Sequence, residues 1–282
     1  MSGVSLSGTG GRRFDVQAGT FDRRAGLPPA AVPAIAEAVA ATAAPRADGV
    51  LVEVGAGTGE IGAALATAGG MPYIGLDLSL SMLARFGARL RALPGATVRG
   101  AIVQADADRP WPVGRRARVV FVSRALHLFD LERVVTELAA CAHRDGCAVV
   151  VGRVRREAGG VRDMLRRQMR SLLAARGISG KSGESAQERL AAALGSRGGR
   201  PRAPHTAATW TAQVRPAQVL AGWRDKPGLA GVSVPPEVQI EVLDGLETWA
   251  STHLGDLAMA RSSVDSYEIF VVDLPGQSEA AT

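Results

Sequence analysis

The sequence predicts an α/β fold built on a doubly wound, mainly parallel sheet, and three observations carry that prediction. Five short apolar runs, mostly rich in valine, alternate with stretches of helical pattern, as in a parallel sheet covered on both faces. The first run breaks abruptly into closely spaced glycines and resumes as an alanine-rich helix, so a strand, a tight turn and a helix start follow one another. The alternation stops at Arg153, where an arginine-rich segment begins and places a helical cap after the fifth strand.

Length and composition bound the class. A chain of 282 residues can bury one sizeable core, with or without a smaller cap. Hydrophobic content of 46% with 21% charged residues is that of a soluble globular protein. No stretch approaches the roughly 20 apolar residues of a membrane span, and residues 1–11 lack the apolar core of a secretory signal. Cys141 and Cys147 form neither a Cys-x-x-Cys pair nor a disulfide framework, so a cytoplasmic protein without a zinc site is expected. The formal charge of +6 comes mostly from arginine. It suits nucleic acid or an anionic small substrate, although an arginine bias also arises from codon composition alone.

In chain order, residues 1–45 are expected to form an N-terminal lid and helix. Phe14 and Phe21 lie seven apart with Arg24 close behind, a segment suited either to covering a ligand or to packing on the sheet. Val32, Ile35 and Val39 then fall at helical spacing. Residues 46–152 hold the five strands, read at 50–54, 72–78, 98–103, 119–122 and 147–151, with helices at 59–68, 82–93 and 131–142. The cap is expected at 153–204, with Leu165, Met169, Leu172 and Leu173 as one apolar helical stripe. Residues 205–274 should return to the sheet through strands at 205–212 and 267–272, and 275–282 form a polar tail.

The glycine turn carries the chemistry. Glycine is required where the backbone must take angles closed to other residues and let a ligand approach the main chain, and free N–H groups at the following helix start favour an anion. A dinucleotide site asks for Gly-x-Gly-x-x-Gly directly after the strand. Counted from Gly55 the third position is Glu60, and counted from Gly57 the pattern starts two residues beyond the strand end. What fits in frame is acidic-x-Gly-x-Gly-x-Gly, with Glu53, Gly55, Gly57 and Gly59. Asp77 follows Gly59 by 18 residues, one helix and one strand later, which puts its carboxylate beside the turn, where it can accept both ribose hydroxyl protons. Gly180-Lys181-Ser182 is no phosphate loop, because Ala175 stands where the first glycine belongs and no strand precedes it.

Glu53 to Gly59 resembles the first motif of class I S-adenosylmethionine-dependent methyltransferases, and Gly75-Leu76-Asp77-Leu78-Ser79-Leu80-Ser81-Met82-Leu83 is very similar to their second signature. The resemblance is closest to the small-molecule type, near the ubiquinone and menaquinone C-methyltransferase-like group. It spans about residues 14–274 and is specific between Val50 and His127. It implies a Rossmann-like doubly wound sheet of seven strands and S-adenosylmethionine as cofactor. The cofactor set it implies is Glu53, Gly55, Ala56, Gly57, Gly59, Asp77, Leu78, Met82, Asp106, Ala107 and Ser123, with Asp106 accepting from the adenine amino group. Arg118 departs from the family, which often begins the fourth strand with aspartate.

Methyl transfer needs mainly alignment and exclusion of water, so few catalytic residues are expected. His127 is the candidate general base, with packing as its alternative role; Phe14, Phe21 and Arg24 are the candidate lid. Ser123-Arg124-Ala125-Leu126 is not the Asn/Asp-Pro-Pro-aromatic motif of enzymes acting on exocyclic base amines, and no carboxylate cluster suggests a catalytic metal. A small-molecule acceptor is therefore expected rather than nucleic acid. Two other readings stay open: an RNA methyltransferase using the basic cap, and a non-catalytic nucleotide-binding protein.

Overall fold

The computed structural model describes residues 15, 18–19, 21–22, 26–42, 48–68, 70–93, 95, 97–179 and 185–276. Eight strands share one sheet: β1 (Val50–Val54), β2 (Tyr73–Asp77), β3 (Gly100–Gln104), β4 (Ala117–Ser123), β5 (Cys147–Arg155), β6 (Arg200–Pro201), β7 (His205–Val214) and β8 (Arg261–Leu274). Their order is β3-β2-β1-β4-β5-β8-β6, with β7 also paired to β8. The first five are parallel, in registers such as Glu53 opposite Gly75 on β2 and Phe121 on β4. Chain direction across the sheet reverses beside β1, with β2 on one flank and β4 on the other. That is the switch point at whose carboxyl end ligands bind in such sheets.

Burial explains which strands are central. Every residue of β1 is buried, and Val119, Val120, Phe121 and Val122 of β4 are completely so. A strand covered on both faces reads as one apolar run without alternation, which is why these two were plain in the sequence. The expected seven strands become eight for a local reason. Pro201 and Pro204 lack an amide proton to give to a ladder, so the edge strand breaks into β6 and β7, although the Arg202 amide still donates to Val271 (2.8 Å). β6 runs antiparallel to β8.

Eight α-helices are described: α1 (Val32–Ala40), α2 (Gly62–Thr67), α3 (Leu80–Arg91), α4 (Leu131–Cys141), α5 (Val161–Ala174), α6 (Ala186–Gly195), α7 (Pro216–Arg224) and α8 (Pro236–Leu254). The chain divides into two compact units, one of residues 1–153, 185–208 and 267–282, the other of 154–184 and 209–266. These units do not coincide with the expected segments 153–204 and 205–274, while the expected late strands do join the sheet as β7 and β8. Leu190 and Leu194 of α6 are fully buried in the same core as Val134, Leu138 and Val149, so α6 covers the sheet. In the second unit Leu165 and Leu173 of α5 meet Leu220 of α7 and Val242, Leu243 and Leu246 of α8. Each such side chain contributes about 1.5–3 kcal/mol on burial, enough for α7 and α8 to build a core of their own.

In the first unit, Arg118 replaces the expected aspartate with a cation and gives it a structural task. Its Nη2 donates to Asp48 (3.2 Å) and Asp145 (2.9 Å), tying the approach to β1 to the approach to β5. Both carboxyls are held below the ordinary aspartate pKa: at Asp48 burial is the largest single influence and raises it, but the Arg118 hydrogen bond and charge together with the His143 charge outweigh it, and at Asp145 the Arg118 hydrogen bond leads and burial opposes it.

Candidate functional site

The turn after β1 holds Gly55, Gly57 and Gly59 at φ +74°, +56° and +73°, in the left-handed region that disfavours any side chain. Two of them are glycine for different further reasons. A Cβ on Gly59 would enter the Phe86 ring at 2.0 Å, so Gly59 lets the turn pack on α3. A Cβ on Gly57 would meet nothing within 4 Å, so there the main chain lies open. Ala56, between Gly55 and Gly57, is buried.

Asp77, the last residue of β2, lies where its spacing placed it. Its Oδ2 accepts the Gly57 amide (2.7 Å) and its Oδ1 the Ser79 amide (2.9 Å). Burial raises its pKa, the two amides oppose that, and the Asp15 charge adds to the rise. A carboxylate oxygen has two acceptor positions, so each oxygen keeps one beyond the amide it holds. Leu78 follows, half-buried, its carbonyl accepting Gln104 Nε2 (3.0 Å). Past β3, Asp106 and Ala107 are half-buried; the Asp106 carboxylate accepts the Asp108 amide (3.0 Å), and the Ala107 carbonyl accepts Trp111 Nε1 (3.0 Å). The turn, Asp77 and Asp106 thus stand at the carboxyl ends of three adjacent parallel strands.

Glu53 and Met82 are placed differently. Glu53 is 3% exposed and lies beneath the turn, accepting the Tyr73 hydroxyl (2.5 Å), close enough to Gly62 that a Cβ there would come within 2.6 Å of it. Burial pushes its pKa up to about 8 despite the Tyr73 hydrogen bond. It supports the turn from inside the fold. Met82 is also buried, its amide capped by Ser79 Oγ (3.1 Å).

At the end of β4, Ser123 Oγ shares a hydrogen bond with the buried Tyr267 hydroxyl (2.6 Å). His127 lies in the short 3-10 helix Leu126–Leu128 and is exposed, so it is not packed in the core. Phe21 is half-buried, while Phe14 and Arg24 lie outside the described residues.

Sequence reasoning passed over a set of polar residues that fasten the N-terminal segment to this rim. Glu60, seen only as the residue that spoils a dinucleotide pattern, accepts the Leu27 amide (2.5 Å) and Arg124 Nη2 (2.6 Å). Arg124 itself takes φ +57°, uncommon for a residue with a side chain. Asp22 accepts Thr58 Oγ1 (2.6 Å) and Arg89 Nη2 (2.5 Å), and Asp15 accepts Ser79 Oγ (2.5 Å) and the Ser81 amide (3.3 Å). Glu60 was the one visible signal, an acid inside a glycine-rich turn.

Among the described residues one group of metal-ligand type comes together, Asp48, His143 and Asp145. The Arg118 guanidinium already sits against both carboxylates, so a cation would meet a fixed positive charge. No helix among the described residues is long and apolar enough to cross a membrane.

Residues 51–146 match the family described as methyltransferase domain. No curated protein matches the chain. Among solved structures, a methyltransferase-like protein from Bacillus halodurans C-125 aligns at a TM-score of 0.53 and 14% identity, covering 85% of this chain and 98% of its own. The YcgJ protein of Bacillus subtilis aligns at 0.49 and 15%, covering 84% and 97%. A geranyl diphosphate C-methyltransferase from Streptomyces coelicolor A3(2) aligns at 0.48 and 14%, covering 86% and 77%. At 14% identity the first likeness is one of fold, and the other two add nothing to it. Residues 51–146 carry a class I S-adenosylmethionine-dependent methyltransferase domain, and the chain is a methyltransferase that uses this cofactor.

Proposed function

We propose that the acceptor is a small molecule and that the site works as follows. The open backbone at Gly57 takes the amino-acid end of the cofactor, and Asp77, with one acceptor position left on each oxygen, takes the ribose hydroxyls. Asp106 takes the adenine amino group, and Leu78 and Ala107 flank it. Bound there, S-adenosylmethionine supplies an electrophilic methyl carbon on sulfur. The chain's own contribution is alignment and exclusion of water, the latter through the N-terminal segment that Glu60, Asp22 and Asp15 hold to the rim. His127, exposed after β4, is the group able to receive a proton from a hydroxyl or amine acceptor.

The observation that carries a small acceptor over a nucleic acid is the way the arginines are engaged. Arg89, Arg124, Arg153, Arg167, Arg202 and Arg224 each hold a carboxylate at 3.0 Å or closer. A surface that follows a phosphate backbone needs its cations available in a row, and these are paired within the protein. The test is incubation with methyl-labelled cofactor and, separately, the low-molecular-mass fraction and the total RNA of the source cells. Label is expected in an organic product of the first fraction. Label in RNA alone would overturn the proposal.

A further inference from the structure

The second unit holds a concentration of positive charge that the methyl-transfer site does not use. Asp265 on β8 is fully buried, and its Oδ2 faces two guanidiniums: Arg156 Nη1, in hydrogen-bond contact, and Arg162 Nη1 at 3.8 Å. Its Oδ1 accepts Ser263 Oγ (3.3 Å) and the Glu157 amide (3.4 Å). Arg166 lies one helical turn beyond Arg162 and acts on it electrostatically. Two other acids lie close by and are committed: Glu157 accepts the Val264 amide (3.1 Å), and Asp163 accepts the Gly159 amide (2.8 Å) and pairs with Arg167 (2.7 Å). Four guanidiniums, Arg167 included, therefore stand against three carboxylates, and the side chains of Arg156 and Arg162 are 39% and 33% exposed.

This arrangement differs from a solvated ion pair. A wholly buried carboxylate holds Arg156 by a hydrogen bond and draws Arg162 to 3.8 Å by charge, so Arg156 in particular has little rotamer freedom left to lose when a ligand binds. Burial and the neighbouring Arg156 push the Arg162 pKa down, Asp265 notwithstanding. Two like charges held together in this way are relieved by an anion bridging them. The first turn of α5 has no side-chain cap, its N-cap being Gly160, while Asp163 within that turn gives its carboxylate to the Gly159 amide.

We propose that Arg156 and Arg162, seated on Asp265 and assisted by Arg166, form a binding site for the phosphate group of a small molecule. A phosphate suits it better than a carboxylate. A single guanidinium fork satisfies a planar carboxylate, whereas a tetrahedral phosphate presents oxygens to donors arriving from the end of β5 and from the first turn of α5.

The experiment titrates the full-length protein with inorganic phosphate and with pyrophosphate by calorimetry at constant ionic strength. It is repeated on Arg162→Gln, on Arg166→Gln, and on Arg115→Gln, an exposed arginine in the first unit. Saturable binding is expected, weakened about tenfold or more by Arg162→Gln, in keeping with loss of a charge-assisted hydrogen bond. A smaller loss is expected for Arg166→Gln and none for Arg115→Gln. Arg156 is left intact because its removal would strand the buried Asp265 carboxylate. Circular dichroism of each variant separates lost binding from lost folding. The proposal is overturned if neither anion saturates, if Arg162→Gln folds and binds like the parent, or if Arg115→Gln weakens binding equally. A single-stranded RNA that binds the same arginines more tightly than pyrophosphate would overturn it in favour of a nucleic-acid surface.

Discussion

At the scale of single residues, position in the chain and role in the site are separable. Asp77 and Asp106 were legible because each closes a strand, and strand ends in a parallel sheet converge. Glu53 was legible as a residue of the motif but not in its task, since the Tyr73 hydroxyl that holds it comes from the neighbouring strand, 20 residues away. Its buried carboxyl is protonated at neutral pH, with a folded-state pKa of about 8 against an ordinary value of 4.5. The folded state then binds more protons than the unfolded chain across that interval, so stability falls as pH rises from about 4.5 through 8. Glu53→Gln keeps the shape and the acceptor for Tyr73 and removes the ionisation. Its melting temperature is expected to decline less between pH 6 and 8.5 than that of the parent. Parallel declines would show that Glu53 ionises without cost. His127→Gln addresses the other residue-scale expectation: a general base should cost roughly a hundredfold or more in kcat, with KM little changed. Unchanged turnover would leave His127 outside the chemistry.

Elements were legible where hydrophobic period and burial agree. The strands of valine and the stripe Val32, Ile35, Val39 appear where periodicity put them, because Ile35 and Val39 pack with no exposure. The contacts that hold the N-terminal segment were not legible, for their partners are far apart in sequence: Glu60 is 33 residues from Leu27 and 64 from Arg124. Such pairings have no period. Glu60 is 11% and Arg124 24% exposed in the side chain, so their ion pair is only partly screened. Glu60→Gln should cost about 1–3 kcal/mol, a loss of several degrees in melting temperature. It should also increase the rate at which protease cleaves between residues 15 and 31. A variant with parental melting and cleavage would mean that the strap is held elsewhere.

For the molecule as a whole, the βα alternation revealed the sheet, while the division into units was hidden. α6 joins the sheet and α7 and α8 do not, yet all three have amphipathic sequences of similar kind. Which core an amphipathic helix joins depends on tertiary partners such as Val134 for Leu190 or Leu165 for Val242, and one sequence does not name them. The split of the edge strand by Pro201 and Pro204 is the exception, written locally and recoverable from proline chemistry.

The central claim is that the open glycine backbone and Asp77 together receive an adenosyl cofactor. Titration calorimetry with S-adenosylhomocysteine on the parent and on Asp77→Asn tests it most directly. Saturable binding to the parent is expected, with an affinity at least tenfold lower for a folded Asp77→Asn protein and no heat with NAD. Equal affinity in the two proteins, or binding of NAD in place of the adenosyl ligand, would contradict it.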